Sequence, residues 1–233
     1  MNKNNILVII PTINEMKGLK QIIPKLSKLN VDILVVDDNS TDGSRPFIVD
    51  FKKKQSSHFN YIFRDSNRGF RSAYFCGFEF ALENNYRTII MMDGDGAHDP
   101  LKIAEFLSNV DNGYDLIVGS RYIAGGQIEY FPFWRKVSSW IFNWLAKKKM
   151  STQICDWTSG FIVIKADILK KIIYKDYAEG FGFLFQMKKY AVDSGAKVKE
   201  IPINFANCKN NKSKFNARIA FEAFVTLLKI NKK

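Results

Sequence analysis

The chain is short of the features that assign a class at a glance. Its 233 residues include three cysteines, Cys76, Cys155 and Cys208, an odd number, far apart and without CxxC spacing. That argues against a disulfide framework or a zinc ribbon and fits a reducing cytosolic compartment. No apolar run approaches the roughly 18 residues of a spanning helix. The N-terminal run Ile6 to Ile10 stops at Pro11, too short for a secretory signal. The protein is therefore expected not to be integral to a membrane. The phosphate loop GxxxxGK(S/T) is missing, and nothing fits GxGxxG after the first apolar run, which disfavours a P-loop nucleotidase and an ordinary dinucleotide oxidoreductase. There is no internal repeat, low-complexity linker or composition break, so one domain with appendages is expected over residues 1–233.

Acid is also scarce relative to base. Lysine plus arginine is 35 and aspartate plus glutamate 23, a formal charge of +12. Such a field attracts polyanions: nucleic acid, anionic lipid head groups or phosphorylated substrates. A nucleic-acid binder is one reading of that charge, but no RNP or helix-turn-helix signature supports it, and no nucleic-acid partner is expected. Aromatic content is 14%, with Trp134, Trp140 and Trp144 near lysines. That mixture suits a bilayer interface, and it suits an aromatic-rich core equally.

The first half alternates short apolar runs with amphipathic stretches, the sign of βαβ units building a mostly parallel sheet. Residues 6–10, 33–36, 61–63, 88–92 and 116–118 read as strands, and 16–29, 42–54, 70–84 and 100–110 as helices. Asp42 or Ser40 can cap the second helix, and Pro100 suits the first turn of the fourth. Beyond Gly119 come a Gly125-Gly126 loop, a Trp-rich helix ending in Lys147-Lys148-Lys149, and a strand at 161–164. Helices follow near 168–173 and 183–194, then a strand ending at Phe205 and an amphipathic helix from about 216 to 229.

In an open α/β sheet, functional residues gather at the carboxyl ends of the strands. Here those ends read Pro11-Thr12-Ile13-Asn14-Glu15, Asp37-Asp38-Asn39-Ser40, Asp93-Gly94-Asp95 and Gly119-Ser120-Arg121. Three acidic clusters on one edge repel one another, and a cation or a set of donors must answer them. Asp93 and Asp95, flanking a glycine at a strand end, suit one hard divalent metal whose other positions go to phosphate oxygens and water. DxD alone is more often the sequence of a solvated turn; its place on this edge favours the metal.

The ordered series IIPTINE, VVDDNSTDGS, NRGFRSAYFCGF, MMDGDGAHDP, VGSRY, WTSGF and SKF, from Ile6 to Phe215, resembles the family 2 glycosyltransferases with a GT-A fold. Within them it is most similar to dolichyl-phosphate and polyprenyl-phosphate mannose synthases. The resemblance implies a Rossmann-like α/β sheet flanked by helices, with C-terminal amphipathic helices. Residues 6–120 would bind the nucleotide sugar, and 121–233 the acceptor. Pro11, Ile13 and Glu15, with Val36 and Asp38, match positions that contact the nucleoside. Asp93, Gly94 and Asp95 match the motif carrying Mg2+ or Mn2+ and the diphosphate. Arg121 matches an arginine on the phosphates or transferred sugar, and Lys214 a lysine of a loop closing over the nucleotide. The catalytic roles fall on Asp95 and Arg121.

The implied activity moves a hexose, mannose from GDP-mannose first and a UDP-hexose otherwise, onto a polyprenyl or dolichyl phosphate with inversion. A lipid monophosphate is already anionic and needs no general base; a hydroxyl acceptor in polysaccharide or glycolipid synthesis would need one, for which Asp156 is the candidate. The place of work would be the cytoplasmic face of a membrane, held by peripheral contact or by an anchoring subunit. Some positions depart from the pattern. Ile13 stands where tyrosine is usual, Ala97 where some synthases place a metal-binding glutamine, and Cys208 where an arginine precedes the late lysine. Gln186-Met187-Lys188 lacks the glutamate that often follows the glutamine.

Overall fold

A computed structural model describes residues 5–54, 57–130, 133–150, 154–206 and 224–228. Four βα steps and a fifth strand open the chain: β1 (Ile6–Thr12), α1 (Met16–Leu26), β2 (Asp32–Asp37), α2 (Ser44–Lys54), β3 (Phe59–Phe63), α3 (Phe70–Glu83), β4 (Thr88–Met91), α4 (Lys102–Asp111) and β5 (Leu116–Ser120). The rest comprises β6 (Gln127–Glu129), α5 (Phe133–Met150), β7 (Ile162–Lys165), α6 (Ala166–Ile172), α7 (Gly182–Asp193), β8 (Val198–Pro202) and β9 (Asn204–Ala206). Residues 224–228 are helical; the remainder of the helix expected over 216–229, with Cys208 and Lys214, lies outside the described residues.

Seven strands form one sheet in the order β3-β2-β1-β4-β7-β5-β8, and β6 pairs with β9 in a small second ladder. Every neighbour pair in the large sheet is parallel except those of β7, which runs antiparallel between β4 and β5. β1, β2, β4 and β5 are buried along their whole length, because helices cover both faces. Alternate residues then serve different layers. Leu7, Ile9, Leu34 and Val36 pack with α3 residues such as Phe78, whereas Val8, Ile10, Ile33 and Val35 pack with α1 residues Leu19, Ile22 and Ile23.

β7 reverses the direction of the chain, so its leading loop, residues 154–161, arrives at the edge where β4 and β5 end. The sequence placed a strand here but not its direction. Pro11 is tolerated in central β1 because β4 pairs only as far as Ile9, opposite Met91. α5 has two faces: Phe142, Asn143, Ala146 and Met150 are buried, while Phe133, Trp134, Trp140 and Trp144 are exposed. Among the described residues no helix is long and apolar enough to cross a membrane.

Candidate active site

The loops after β1 and β2 are locked together by side chains of their own. Asn14 and Asn39 adopt positive φ of 55° and 65°, a conformation asparagine tolerates. Asn14 Oδ1 accepts from the Thr41 amide at 2.7 Å, and Ser40 Oγ accepts from the Asn14 amide at 2.8 Å. Asp42 caps α2 by accepting from the Ser44 amide at 3.0 Å, and reaches the Met16 amide of α1 at 2.9 Å. Of the two expected caps, Asp42 takes the helix and Ser40 takes the neighbouring loop.

Arginines answer part of the acidic edge. Asp37, fully buried, accepts from Arg45 Nε at 2.6 Å. Asp38 accepts from Arg64 Nε at 2.7 Å and from the Gly69 amide at 2.8 Å. Both arginines come from outside the strand-end motifs. Val36 is fully enclosed in the core, and Ile13 sits half-exposed on the rim of the edge.

The Asp93-Gly94-Asp95 loop crosses over β1 and lies against α1. A methyl group added to Gly94 would stand 2.7 Å from Glu15 Oε2 and 3.2 Å from the Pro11 carbonyl oxygen, so Pro11, Glu15 and Gly94 are neighbours. Asp95 Oδ1 accepts from the Ala97 amide at 2.9 Å. The Tyr74 hydroxyl donates to Asp93 Oδ1 at 3.3 Å. Burial first, then the charges of Asp93, Glu15 and Asp95, pushes the Tyr74 phenol well above its ordinary value. One hydroxyl thus registers all three carboxylates as a single negative locus. His98 lies beneath the loop, stacked on Phe161 at 4.8 Å, with Nδ1 accepting from the Asp93 amide at 3.3 Å. Burial lowers its pKa to about 3, so it is neutral.

This donor set fits a hard divalent cation that takes further ligands from elsewhere. Among the described residues no group of three or more His, Cys, Asp or Glu is arranged to hold a metal. Asp93 and Asp95 supply hard oxygen, and substrate phosphate and water would complete the shell.

Arg121 follows β5 and is buried with Asp156, from the loop before β7. Its Nε donates to Asp156 Oδ2 at 2.7 Å and its Nη2 to Oδ1 at 2.8 Å, a bidentate pair, while Nη2 also donates to Thr158 Oγ1 at 2.6 Å. Burial works against both charges, yet each holds the other ionised: Arg121 is raised and Asp156 lowered from their ordinary values. Asp156 is wholly buried and committed to this pair. On its outer side Arg121 lines an open groove of about 390 Å³ with Tyr122, Ile128, Lys136, Val137 and Trp140. Arg135, at the start of α5, is half-buried and feels both Arg121 and Asp95.

The structure therefore gathers Pro11, Glu15, Asp93, Gly94 and Asp95 at one spot, and sets Asp38 and Arg121 on the same edge. Arg45, Arg64, Tyr74 and Arg135 were not singled out from sequence, because their partners lie on other strands and helices.

Residues 7–175 match the family Glycosyl transferase family 2. The chain is 33% identical over 220 residues to the polyprenol monophosphomannose synthase of Mycolicibacterium smegmatis, covering 93% of this chain and 83% of that protein. It is 31% identical to the undecaprenyl-phosphate mannosyltransferase of Micrococcus luteus, covering 95% and 92%. The chain belongs to glycosyl transferase family 2. Solved structures share the fold of this family 2 glycosyltransferase at low identity. A mannosyl-3-phosphoglycerate synthase from Rubrobacter xylanophilus superposes with TM-score 0.70 at 12% identity, over 96% of this chain and 72% of its own. A mannosyltransferase from Pyrobaculum calidifontis, in complex with GDP-Man and Mn2+, gives 0.61 at 13%, over 89% and 58%. The Rossmann-like GT-A architecture expected from the motifs is the one observed.

Proposed function

We propose that this glycosyltransferase moves a hexose, mannose from GDP-mannose first, onto a polyprenyl or dolichyl phosphate at a membrane surface, with inversion at the anomeric carbon. One juxtaposition carries the reading. Buried Arg121 feels the charge of Asp93 in the acidic locus, and it also lines a groove whose wall combines apolar Ile128, Val137 and Trp140 with basic Lys136. A donor diphosphate belongs at the acidic locus, and a lipid bearing a phosphate in the groove. The two relatives, a polyprenol monophosphomannose synthase and an undecaprenyl-phosphate mannosyltransferase, support that acceptor.

Asp93 and Asp95 would hold Mg2+ or Mn2+, which supplies positive charge at the donor diphosphate. Pro11, Ile13, Glu15 and Asp38 line the nucleoside end, and the register Pro11 to Val36 keeps these two strand ends level. A phosphate oxygen of the acceptor attacks the anomeric carbon as the bond to the leaving nucleoside diphosphate breaks. Arg121, fixed in its fork by Asp156 and Thr158, presents charge to the phosphates without having to reorganise. Asp156, the candidate base, is locked in that pair and out of an acceptor's reach. A phosphate dianion needs no proton removed, so the locked Asp156 favours it over a hydroxyl acceptor. Lys214 is proposed to close over the nucleotide from its loop.

The exposed face of α5 is proposed to meet the bilayer. Phe133 and Trp140 are 82% and 58% exposed, Lys148 Nζ lies 4.2 Å over the Trp144 ring, and Lys147 to Lys149 end the helix. Aromatic rings at head-group depth beside lysines are the composition of an interfacial helix. The site would then work from the cytoplasmic face, alone or beside an anchoring subunit.

The test is a transfer assay with Mg2+ or Mn2+, short-chain polyprenyl phosphate and a panel of radiolabelled nucleotide sugars, counting label extracted into organic solvent. Metal-dependent counts with one donor, lost in Asp95→Asn, establish the reading. Donors that bind or hydrolyse slowly but never label the lipid refute the acceptor and direct the search to hydroxyls.

A further inference from the structure

Lys188 takes no part in the chemistry above, yet among the described residues it is a fully buried lysine with three hydrogen bonds. It stands on α7 with no exposed surface, and its Nζ donates to the carbonyl oxygens of Trp157 and Ser159 at 2.8 Å and of Asp156 at 3.2 Å. Three acceptors match the three donors of an ammonium; a neutral amine has two and would turn its lone pair on the third carbonyl. On the other side of the same loop, Glu200 of β8 accepts from the amides of Cys155 and Asp156 at 2.8 and 2.9 Å. The loop held in this way carries Asp156 and Thr158, the partners of Arg121. It also carries Gly160, where an added methyl would stand 3.3 Å from Asp93 Oδ2.

We propose that Lys188 is a positioning residue for sugar transfer: its ammonium clamps the loop of residues 156–160, and through that loop sets Arg121 and backs Asp93. The clamp touches no substrate itself. The proposal rests on the transferase reading, and goes beyond it by placing part of the control on a residue of α7. The groups facing Lys188 are Asp156 from its loop, Glu200 from β8 and Arg121 from the end of β5. Burial lowers the lysine to about 7, with Arg121 adding to that, against Asp156 and Glu200. The clamp therefore loosens as the proton leaves, on the alkaline side of neutrality.

The test compares wild type with Lys188→Met and Lys188→Arg, using the transfer assay and hydrogen exchange of the amides of Trp157 to Phe161. Lys188→Met is expected to melt cooperatively, to exchange these amides about tenfold faster, and to lose kcat about 20-fold with donor KM held within about threefold. Lys188→Arg, whose charge persists, is expected to recover at least about fivefold of that kcat and to hold it at alkaline pH where wild type declines. Lys188→Met that melts cooperatively and keeps either wild-type exchange or wild-type kcat overturns the proposal. Should Lys188→Met fail to fold, the kcat profiles of wild type and Lys188→Arg decide together with exchange: Lys188→Arg that matches wild type in amide exchange and kcat at every pH overturns the clamp, and an alkaline limb in wild type that Lys188→Arg lacks upholds it. Wild type that moves no sugar onto any acceptor sinks the transferase reading instead, and the exchange comparison still judges the clamp.

Discussion

Gly18 lies on α1, away from every strand-end motif, and its substitution tests whether the Asp93-Gly94-Asp95 loop is held where the chemistry needs it. A methyl group at Gly18 would stand 2.5 Å from the Asp95 carbonyl carbon and 2.8 Å from its Cα, and closer still to the Gly94 carbonyl oxygen. All three are backbone atoms, so no side chain can swing aside. Restoring ordinary contact moves the helix and the loop apart by about 1 Å, and overpacking of that kind costs about 1–3 kcal/mol. Alanine returns about 1 kcal/mol through its better helix propensity. The net loss, up to about 2 kcal/mol, should lower Tm by up to roughly 8 °C in a chain of this size. The effect on transfer should be larger in proportion, because a misplacement of about 1 Å can cost about 100-fold in rate. Gly113→Ala is the control. It has a positive φ of 89° and open space around it, so it strains the backbone without reaching the site. Neither variant should melt above wild type, and only Gly18→Ala should lose transfer. Gly18→Ala with kcat within about threefold of wild type would refute the claim that α1 holds the loop in place.

Other consequences follow from the same contacts. Asp156→Asn breaks the buried pair with Arg121, and urea unfolding should show a loss of about 3–5 kcal/mol; a loss under about 1 kcal/mol would mean that solvent already reaches the pair. Trp140→Ala combined with Trp144→Ala should weaken sedimentation with anionic vesicles while leaving Tm unchanged, since both rings are exposed. Lys188 also predicts a pH dependence of stability. Its folded pKa, about 7, lies below the unfolded value, so between the two the unfolded chain holds a proton that the folded chain has released. Wild-type stability relative to Lys188→Met should then rise by about 1.4 kcal/mol per pH unit from about 7 toward 10. A difference that does not change with pH would show that the lysine keeps its proton in the fold.

The parts of the fold written locally were legible. Periodicity located all five leading strands and the four helices between them, and β1 and β2 gained only one or two residues at their ends, because strand pairing extends past the apolar run. The reversal of β7 was not legible: residues 161–164 are apolar throughout, and an all-buried strand reads the same in either direction. The motif ends announced Asp37, Asp38, Asp93, Asp95 and Arg121, but not what each would touch. Lys188 had left a mark. It occupies the apolar stripe of Leu184, Lys188 and Ala191, at spacings of four and three, where a lysine is out of place.

The acidic edge shows why partners are harder to read than positions. Burying Asp37, Asp38 and Asp156 calls for an opposite charge within hydrogen-bond reach. The fold supplies it from residues 8, 26 and 35 positions away along the chain. Each arginine that arrives this way becomes a fixed piece of charge beside the crevice. Arg121 is the most confined of the three, with a side chain only 7% exposed, and its fork is held on one side by Asp156 and Thr158. Asp156 and Thr158 in turn keep their places only while Lys188 and Glu200 hold the loop between them. Burying an ammonium lowers stability, and the same burial depresses the pKa of Lys188, so the lysine is poorly explained as a stabiliser. It is better explained by the geometry it imposes: the electrostatics of Arg121, the arginine proposed to meet phosphate, would depend on a buried lysine that makes no contact with phosphate.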